Sequence, residues 1–310
     1  MRREVCSETG VRSRFALCAL LLFAALLSGC SVKLVYNNAE RLVLWRASDY
    51  VDLDRAQKDW ARARLRMFFH WHRTQQLPAW AATLREFDLT VQDGIDQASL
   101  DAYYARARGW SDEILLKVIP TAAELMATFS DEQVAGLPEA FARANAELNE
   151  DYEGLDPAAQ RAHWREEVRD SLSDWIGDLT AGQELLLDAV SREVTPDNGA
   201  WIRYRGRWQA QLLSLLAERR AVDEFAAAFL ALSLERERYY TAEYAEVRER
   251  NERAYRRFTY EVLNSLTPAQ SGRLSQRLDA IADDFEELAA EAGEAPPDPG
   301  PAPVRVDAGT

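Results

Sequence analysis

The sequence is poor in the residues from which catalytic and metal sites are usually built. Its 310 residues include 3 cysteines and 3 histidines, and the histidines are His70, His72 and His163. A spacing of two residues points His70 and His72 about 200° apart on a helix, whereas the residues of a helical zinc pair are four positions apart. The sequence also has no nucleophile elbow, glycine-rich phosphate loop or calcium loop. We therefore predict no metal site, no cofactor and no enzymatic activity.

Glycan cleavage is the chemistry that this shortage leaves open, because it needs only two carboxylates. The chain has 51 acidic residues, so pairs such as Glu166 and Glu167 are expected by chance. A peptidoglycan-active enzyme therefore stays as a lesser alternative to a protein without catalytic activity.

The N-terminal residues have the pattern of a bacterial lipoprotein leader. Arg12 and Arg14 precede an apolar run over residues 15–27, which ends in Leu27-Ser28-Gly29-Cys30. The run is too short to span a bilayer stably, since a membrane helix needs roughly 20 apolar residues. We predict that residues 1–29 are a signal peptide and that Cys30 is lipidated and becomes the mature N-terminus. The start position is left open between Met1 and Val11.

The remaining cysteines and the residue after Cys30 bear on where the protein works. Cys6 and Cys18 lie within the leader, so the mature chain has no free thiol or disulfide and its fold must rest on an apolar core. An aspartate directly after the lipidated cysteine would retain a lipoprotein at the inner membrane, and here that residue is Ser31. We predict a location at the inner leaflet of the outer membrane, facing the periplasm.

Acidic residues outnumber basic ones throughout the chain. The formal net charge is −14, and loss of residues 1–29, with four arginines and two glutamates, takes it to −16. A field of this sign argues against nucleic acid and against adsorption of the whole surface to anionic lipid. We predict membrane contact through the N-terminal lipid, no nucleic acid, and an envelope protein or peptidoglycan as the partner.

Helix-forming residues dominate the mature chain, and period-two strand patterns are nearly absent. The last stripe is the clearest, because its members step by four, three, four and three positions: Leu274, Leu278, Ile281, Phe285 and Leu288. A second stripe begins at Tyr240, Tyr244 and Val247 and resumes at Phe258 and Val262 after a polar interruption around Asn251. We predict an all-α bundle of roughly eight amphipathic helices and no sheet.

A short pattern marks many of the helix starts: an apolar residue, a capping Asp, Ser or Thr, and a glutamine three positions after the cap. It occurs at Asp54 with Gln57, Ser130 with Gln133, Thr180 with Gln183 and Thr267 with Gln270, and one residue longer at Asp156 with Gln160. The cap oxygen accepts a backbone N–H while the glutamine reaches back to the N–H of the cap, which is a capping box. The segments after these starts are too dissimilar for a repeat of fixed period, so we predict a bundle and not a solenoid.

The mature chain divides into a large helical region and a short tail. We predict one helical domain over residues 30–291, with a possible subdivision near residues 149–157, which are acidic and contain Gly154. Residues 292–310 hold five prolines between positions 296 and 303 and almost nothing apolar. We predict that this tail is disordered.

Two segments combine arginine with aromatic residues in this acidic chain. These residue types anchor binding surfaces through cation–π contacts and bidentate pairing with carboxylate or phosphate. The candidate binding surface consists of Trp60, Arg64, Trp71, Arg73, Trp201, Arg203, Arg207 and Trp208. The alternative interpretation is that the aromatic rings are core and the arginines pair with acids on neighbouring helices.

The segment that follows Cys30 also has two interpretations. Val32, Leu34, Val35 and Tyr36, together with residues 42–45, are largely apolar. They form either the first core helix, which we favour, or an amphipathic stretch that lies on the membrane surface.

These motifs carry two resemblances to known families. Residues 30–38, with Tyr50-Val51-Asp52-Leu53, Gln57 and Trp71-His72-Arg73, resemble a proteobacterial outer-membrane lipoprotein family of unknown function, over nearly the whole mature chain. This resemblance implies a location and no activity.

The second resemblance is more local. The Leu-Thr-x-x-Gln pattern at residues 179–183 and 266–270 is similar to the motif of Spy-like periplasmic chaperones, although this chain is longer, strongly acidic and without their Met- and His-rich metal region. The leading hypothesis is a structural or interaction lipoprotein of the cell envelope. A chaperone-like holdase is the alternative.

Overall fold

The structure is a computed structural model and describes residues 31–150, 154–195, 198–219 and 221–303. The predicted signal peptide and the predicted lipidation site, Cys30, lie outside these residues. Within the described part of the chain the regular structure consists of helices, with no strand. The prediction of an all-α multi-helix bundle is therefore confirmed.

The helices follow one another through short connections. They are α1 (Ser31–Asn37), α2 (Ala39–Ala47), α3 (Arg55–Trp71), α4 (Leu77–Gln92), α5 (Gln97–Ala127), α6 (Asp131–Asn149), α7 (Pro157–Ile176), α8 (Ala181–Glu193), α9 (Asn198–Leu216), α10 (Val222–Leu234), α11 (Ala242–Leu263) and α12 (Pro268–Ala290). A 3₁₀ turn over Arg236–Tyr239 precedes α11. Among the described residues, no helix is long and apolar enough to cross a membrane.

A π-helical turn over His72–Gln76 joins α3 to α4, so that the two form one long, interrupted helix. The sequence supplies a cause, because Pro78 has no backbone N–H and its ring clashes with the carbonyl four residues earlier, at Thr74. The turn buries His72 and Gln76. Such π turns are frequent at functional sites, and this one brings polar side chains into an apolar neighbourhood.

Two large apolar clusters form the core, and the 31-residue helix α5, about 46 Å long, contributes to both. Cluster A lies between the end of α4, the first turn of α5, α7, α8, α11 and α12. Its buried members are Val91, Ile95, Leu100, Ile176, Leu187, Val190, Val194, Ala254, Phe258, Val262, Leu274 and Leu278. The two stripes of α11 and α12 foreseen from the sequence supply four of these residues, Phe258, Val262, Leu274 and Leu278.

Cluster B lies at the other end of α5, between α5, α6, α9 and α10. Its buried members are Ile119, Ala123, Leu137, Leu212, Leu216, Phe225, Phe229 and Leu232. Both clusters contain residues from before and after the acidic segment 149–157. Residues of the two halves of the chain therefore share each core.

Four of the predicted helix starts are capping boxes, and this prediction is confirmed. The structure adds that the boxes are joined in pairs. The side-chain amides of Gln57 and Gln133 bond to each other, with N···O distances of 3.2 and 2.8 Å. Those of Gln183 and Gln270 do the same at 3.0 and 2.8 Å. We refer to these two pairs as the Gln57 clasp and the Gln183 clasp.

The two clasps have the same construction. In each, both glutamine amides also donate to the backbone oxygen two residues before the cap of the opposite helix: Thr128 and Asp52 in one clasp, Ser265 and Asp178 in the other. Each clasp fastens two helix starts that are far apart in sequence. The Gln57 clasp joins α3 to α6, and the Gln183 clasp joins α8 to α12.

The N-terminal helices α1 and α2 and the C-terminal tail pack against the outside of the helical bundle. Tyr36 of α1 is buried in a third, smaller cluster with Leu77 and Leu288. The described tail, residues 292–303, has no helix after α12, and the Gly300 carbonyl accepts hydrogen bonds from Trp60 and Arg64 on α3. Residues 304–310 lie outside the described part of the chain.

Candidate functional site

The first half of the sequence-derived binding surface lies on α3 and the π turn, and its members have partners within the fold. Trp60 is buried and donates to the Gly300 carbonyl at 2.9 Å. Arg64 lies over the Trp60 ring, 5.1 Å from its centroid, and forms ion pairs with Glu124 and Asp298 at 3.3 and 3.0 Å. The tail and α5 therefore occupy the positions at which a ligand would contact these two residues.

Trp71 and Arg73 lie further along the same segment. Lys117 is 5.5 Å from the Trp71 ring, and Arg73 is 5.2 Å from the Tyr36 ring. Arg73 also donates to Oδ1 of Asn37 at 2.6 Å. These contacts tie the end of α3 and the π turn to α5 and α1.

The second half of the surface lies on α9. Trp208 packs against cluster B and donates to the Leu232 carbonyl at 3.2 Å, while Arg203 pairs with Glu243 of α11 at 2.9 Å. Arg205 lies over the Trp201 ring, 5.7 Å from its centroid, and Arg207 is exposed. The helices that α9 contacts most are α6, α10 and α11, and those that α3 contacts most are α2 and α5. The two halves of the candidate surface therefore lie on helices with largely different neighbours.

A cleft of about 610 Å³ lies beside α11, within the range of ~300–1,000 Å³ typical of small-molecule sites. Its walls come from α5, α7, the end of α8, the start of α9 and one stripe of α11. The lining residues are Tyr104, Trp164, Val194, Thr195, Asn198, Tyr244, Val247, Arg248, Asn251, Glu252, Tyr255, Arg256 and Thr259. We refer to this feature as the α11 cleft.

Aromatic rings form much of its lining and hold one another in place. The rings of Trp164 and Tyr255 are 5.5 Å apart. Tyr244 stacks on Tyr204 of α9 at 5.2 Å with an angle of 7° between the planes. Such contacts fix the ring orientations, so the cleft offers flat apolar surfaces of defined direction.

The polar side chains of the cleft differ in how fully they are paired. Arg256 bonds to Asp101 and Glu252 at 2.8 and 2.7 Å, and Asn251 makes two 3.0 Å hydrogen bonds with the backbone of Thr195. Arg248 lies 5.7 Å from the Tyr240 ring, bonds to the Tyr244 side chain and is attracted by the Glu252 carboxylate, but it forms no close ion pair with a carboxylate among the residues that the structure describes. The guanidinium of Arg248 thus keeps N–H donors for an anionic ligand, since it has five of them.

Burial also shapes the acid–base properties of the cleft. It raises the pKa of Tyr255 to about 12, and that of Tyr204, behind Tyr244, also to about 12. The bond to Arg256 lowers the pKa of the Glu252 carboxyl. At neutral pH Tyr255 and Tyr204 are therefore neutral hydrogen-bonding groups, and Glu252 is ionised.

The α11 cleft was not among the candidates that the sequence offered, although the interrupted stripe of α11 runs along it. Tyr244, Val247 and the interrupting Asn251 line the cleft, whereas Phe258 and Val262 belong to cluster A. The other walls come from Tyr104 and Trp164, which are distant in sequence from α11 and from each other. Only the packing of the helices brings these rings together.

The described residues contain no group of three or more His, Cys, Asp or Glu side chains placed to hold a metal ion. Comparison with known proteins gives one match. A family model described as a family of unknown function, DUF6279, matches residues 49–248, which is more than half of the chain. No curated protein and no solved structure matches. The matched residues include the Gln57 clasp and the cleft residues from Tyr104 to Arg248.

Proposed function

The chain belongs to the family of unknown function DUF6279, and we propose that it is a lipid-anchored binding module of the cell envelope with the α11 cleft as its ligand site. The anchor in this proposal is the lipid on Cys30, and the location is the inner leaflet of the outer membrane. The observation that carries the binding role is the cleft itself, a concave site of about 610 Å³ with oriented rings and an arginine, Arg248, that has no close ion pair with a described carboxylate.

The chemistry of the lining favours a carboxylated glycan. Tyrosine and tryptophan rings pack against the C–H faces of sugar rings, and their N–H and O–H groups bond to hydroxyls. Arg248 supplies a guanidinium that pairs with a carboxylate in two parallel hydrogen bonds. Peptidoglycan presents amino-sugar rings and carboxylated peptide stems together, and in the proposed location it is the adjacent polymer.

The groups in the cleft are suited to binding more than to bond cleavage. Glu252, the cleft carboxylate, is held by Arg256 at 2.7 Å and has a lowered pKa, the reverse of what a general acid requires. Substrate cleavage is therefore not part of the proposal.

The holdase alternative rests on the Leu-Thr-x-x-Gln starts. The glutamines of both starts are buried in the Gln183 clasp. Their side chains are thus engaged within the fold, and nothing in their contacts favours a role in client binding. Suppression of aggregation of an unfolded client by the purified protein would restore this alternative.

We expect Arg248→Gln to weaken binding of a soluble muropeptide by about tenfold, because it removes the charge-assisted bonds to the carboxylate and leaves the rings in place. Titration calorimetry with the wild-type and variant proteins measures the change. A neutral chito-oligosaccharide, which offers the sugar faces without a carboxylate, should bind the two proteins equally.

Arg143→Gln is the matched control, because it removes the same charge from an exposed position on α6. It should leave muropeptide binding unchanged. Equal weakening by both substitutions would mean that the effect on binding arises from the net charge of the protein alone. Wild-type protein that does not bind the muropeptide would contradict the proposed ligand.

A further inference from the structure

The exposed large hydrophobic side chains of the described chain are concentrated at its beginning. Four of the seven lie within residues 34–45, and their exposed fractions are 64, 41, 43 and 48 % for Leu34, Leu42, Val43 and Trp45. The other three, Leu89, Leu116 and Leu185, stand singly on α4, α5 and α8. Single exposed leucines need no explanation, whereas a group of four on two consecutive short helices marks an interaction surface. We refer to these four residues as the docking face.

The helices that carry the docking face are held to the rest of the protein by firm contacts. Val32 and Tyr36 of α1 and Ala39 of α2 are buried. Lys33 bonds to Glu287 and Glu291 of α12 at 2.6 and 3.0 Å. The two helices are thus core elements on one side and apolar surface on the other.

Unpaired cations accompany the docking face, although the protein is acidic. Arg41, in the middle of α2, is exposed and forms no ion pair with any described acidic residue. Arg66 and Arg73 line a smaller cleft of about 260 Å³ beside α1, where neither is paired with a carboxylate in the described part of the chain, although Glu40 and Glu294 line the same cleft. Arg41 is therefore the cation with which the exposed side of α2 can meet an anionic headgroup.

We propose that the docking face lies in the interfacial region of a phospholipid bilayer, with Arg41 at the level of the headgroup phosphates. Interfacial helices combine a buried apolar face with basic residues at the headgroups, and tryptophan favours this depth. The position along the chain supports the same partner, because Cys30 directly precedes α1. The inference rests on the anchoring part of the proposed function and adds to it that the protein is held in one orientation against the membrane.

The test uses the full chain, expressed with its leader, purified after lipidation and reconstituted into vesicles of phosphatidylethanolamine and phosphatidylglycerol. Leu42→Cys introduces a thiol for an environment-sensitive fluorophore, and lipids with a nitroxide on the acyl chain quench it by contact. Leu185→Cys is the matched control, an exposed leucine on α8. We expect at least about twofold stronger quenching at position 42 than at position 185.

A second variant tests the apolar contact itself. Val43→Asp in the Leu42→Cys protein places a charge on the docking face at an exposed site, where the fold tolerates it, and should lower the quenching to the level of the control. Flotation of the vesicles reports the anchor separately. Protein that floats with no quenching at position 42 would overturn the docking face and leave the anchor standing, and protein that does not float would overturn both.

Discussion

Replacing Gln183 with leucine should lower the free energy of unfolding by about 3 kcal/mol. The side chain is fully buried, with an exposed fraction of 0 %. Its oxygen accepts the Thr180 backbone N–H at 2.9 Å, and its amide donates to Gln270 at 3.0 Å. Leucine keeps the volume but leaves these groups unpaired, and each buried unpaired polar group costs about 1–3 kcal/mol. Denaturant titration of the two proteins measures the difference.

Gln160 offers a matched control within the same chain. It also follows a capping aspartate, Asp156, but its amide bonds only to the nearby Leu155 carbonyl, and it belongs to neither clasp. Gln160→Leu should cost about 0.5–1 kcal/mol. Equal losses for the two substitutions would mean that the bonds of Gln183 in its capping box and clasp add nothing beyond a single local hydrogen bond to the backbone.

The double variant isolates the bond between the two glutamines. Gln183→Leu leaves the Gln270 amide without its partner, and Gln270→Leu does the reverse. Replacing both removes the pair together, so the combined loss should fall short of the sum of the single losses by about 1–2 kcal/mol. Strict additivity would mean that the two amides do not stabilise each other.

The clasps show which features of the fold are determined by short segments of the sequence and which depend on long-range packing. A capping box is built within four consecutive residues, so each of the four starts was predictable from its own segment. Pairing of the starts depends on the positions of α3, α6, α8 and α12, which long-range packing decides. The two clasps share one construction although the sequences after their starts are dissimilar, and a search for a fixed period therefore finds no repeat.

The same distinction applies to the candidate site. The arginine and aromatic segments of α3 and α9 were conspicuous in the sequence, but most of their members have partners on neighbouring helices or in the tail. The residues of the α11 cleft were inconspicuous because Tyr104, Trp164 and Tyr255 come from three separate helices. Local composition reveals residue types that bind, and only tertiary packing decides which of them face a cavity.

Acid should destabilise the protein through His72. Its ring is buried in the π turn beside α3, and its Nδ1 shares a 2.7 Å hydrogen bond with the Tyr36 hydroxyl. Aromatic rings surround it, with Trp80 at 4.9 Å and Phe68 at 5.9 Å between centroids. Burial lowers the pKa of His72 from 6.5 to about 4, because this environment solvates the imidazolium poorly.

The sign of the pH dependence follows from this lowered pKa. Below pH 6.5 the unfolded chain binds a proton at His72 that the folded protein does not bind, so the free energy of unfolding decreases as the pH falls. Above pH 6.5 His72 is neutral in both states and costs the folded protein no stability. The cost of keeping it neutral grows progressively as the pH falls to about 4. The total loss from this group is about 3 kcal/mol.

Two substitutions distinguish the contribution of His72 to the acid sensitivity from the contributions of other titratable side chains. His72→Gln keeps a hydrogen-bonding partner for Tyr36 but cannot titrate, so the variant should lose less stability than the wild type between pH 6.5 and 4. His163 lies at the surface beside Glu167, 3.4 Å away, and His163→Gln should retain the steep wild-type dependence. Denaturant titrations across this range measure both slopes. Parallel curves for the wild type and His72→Gln would mean that the acid sensitivity resides in the carboxylates and not in His72, since a variant that cannot titrate at position 72 lacks this contribution to the slope.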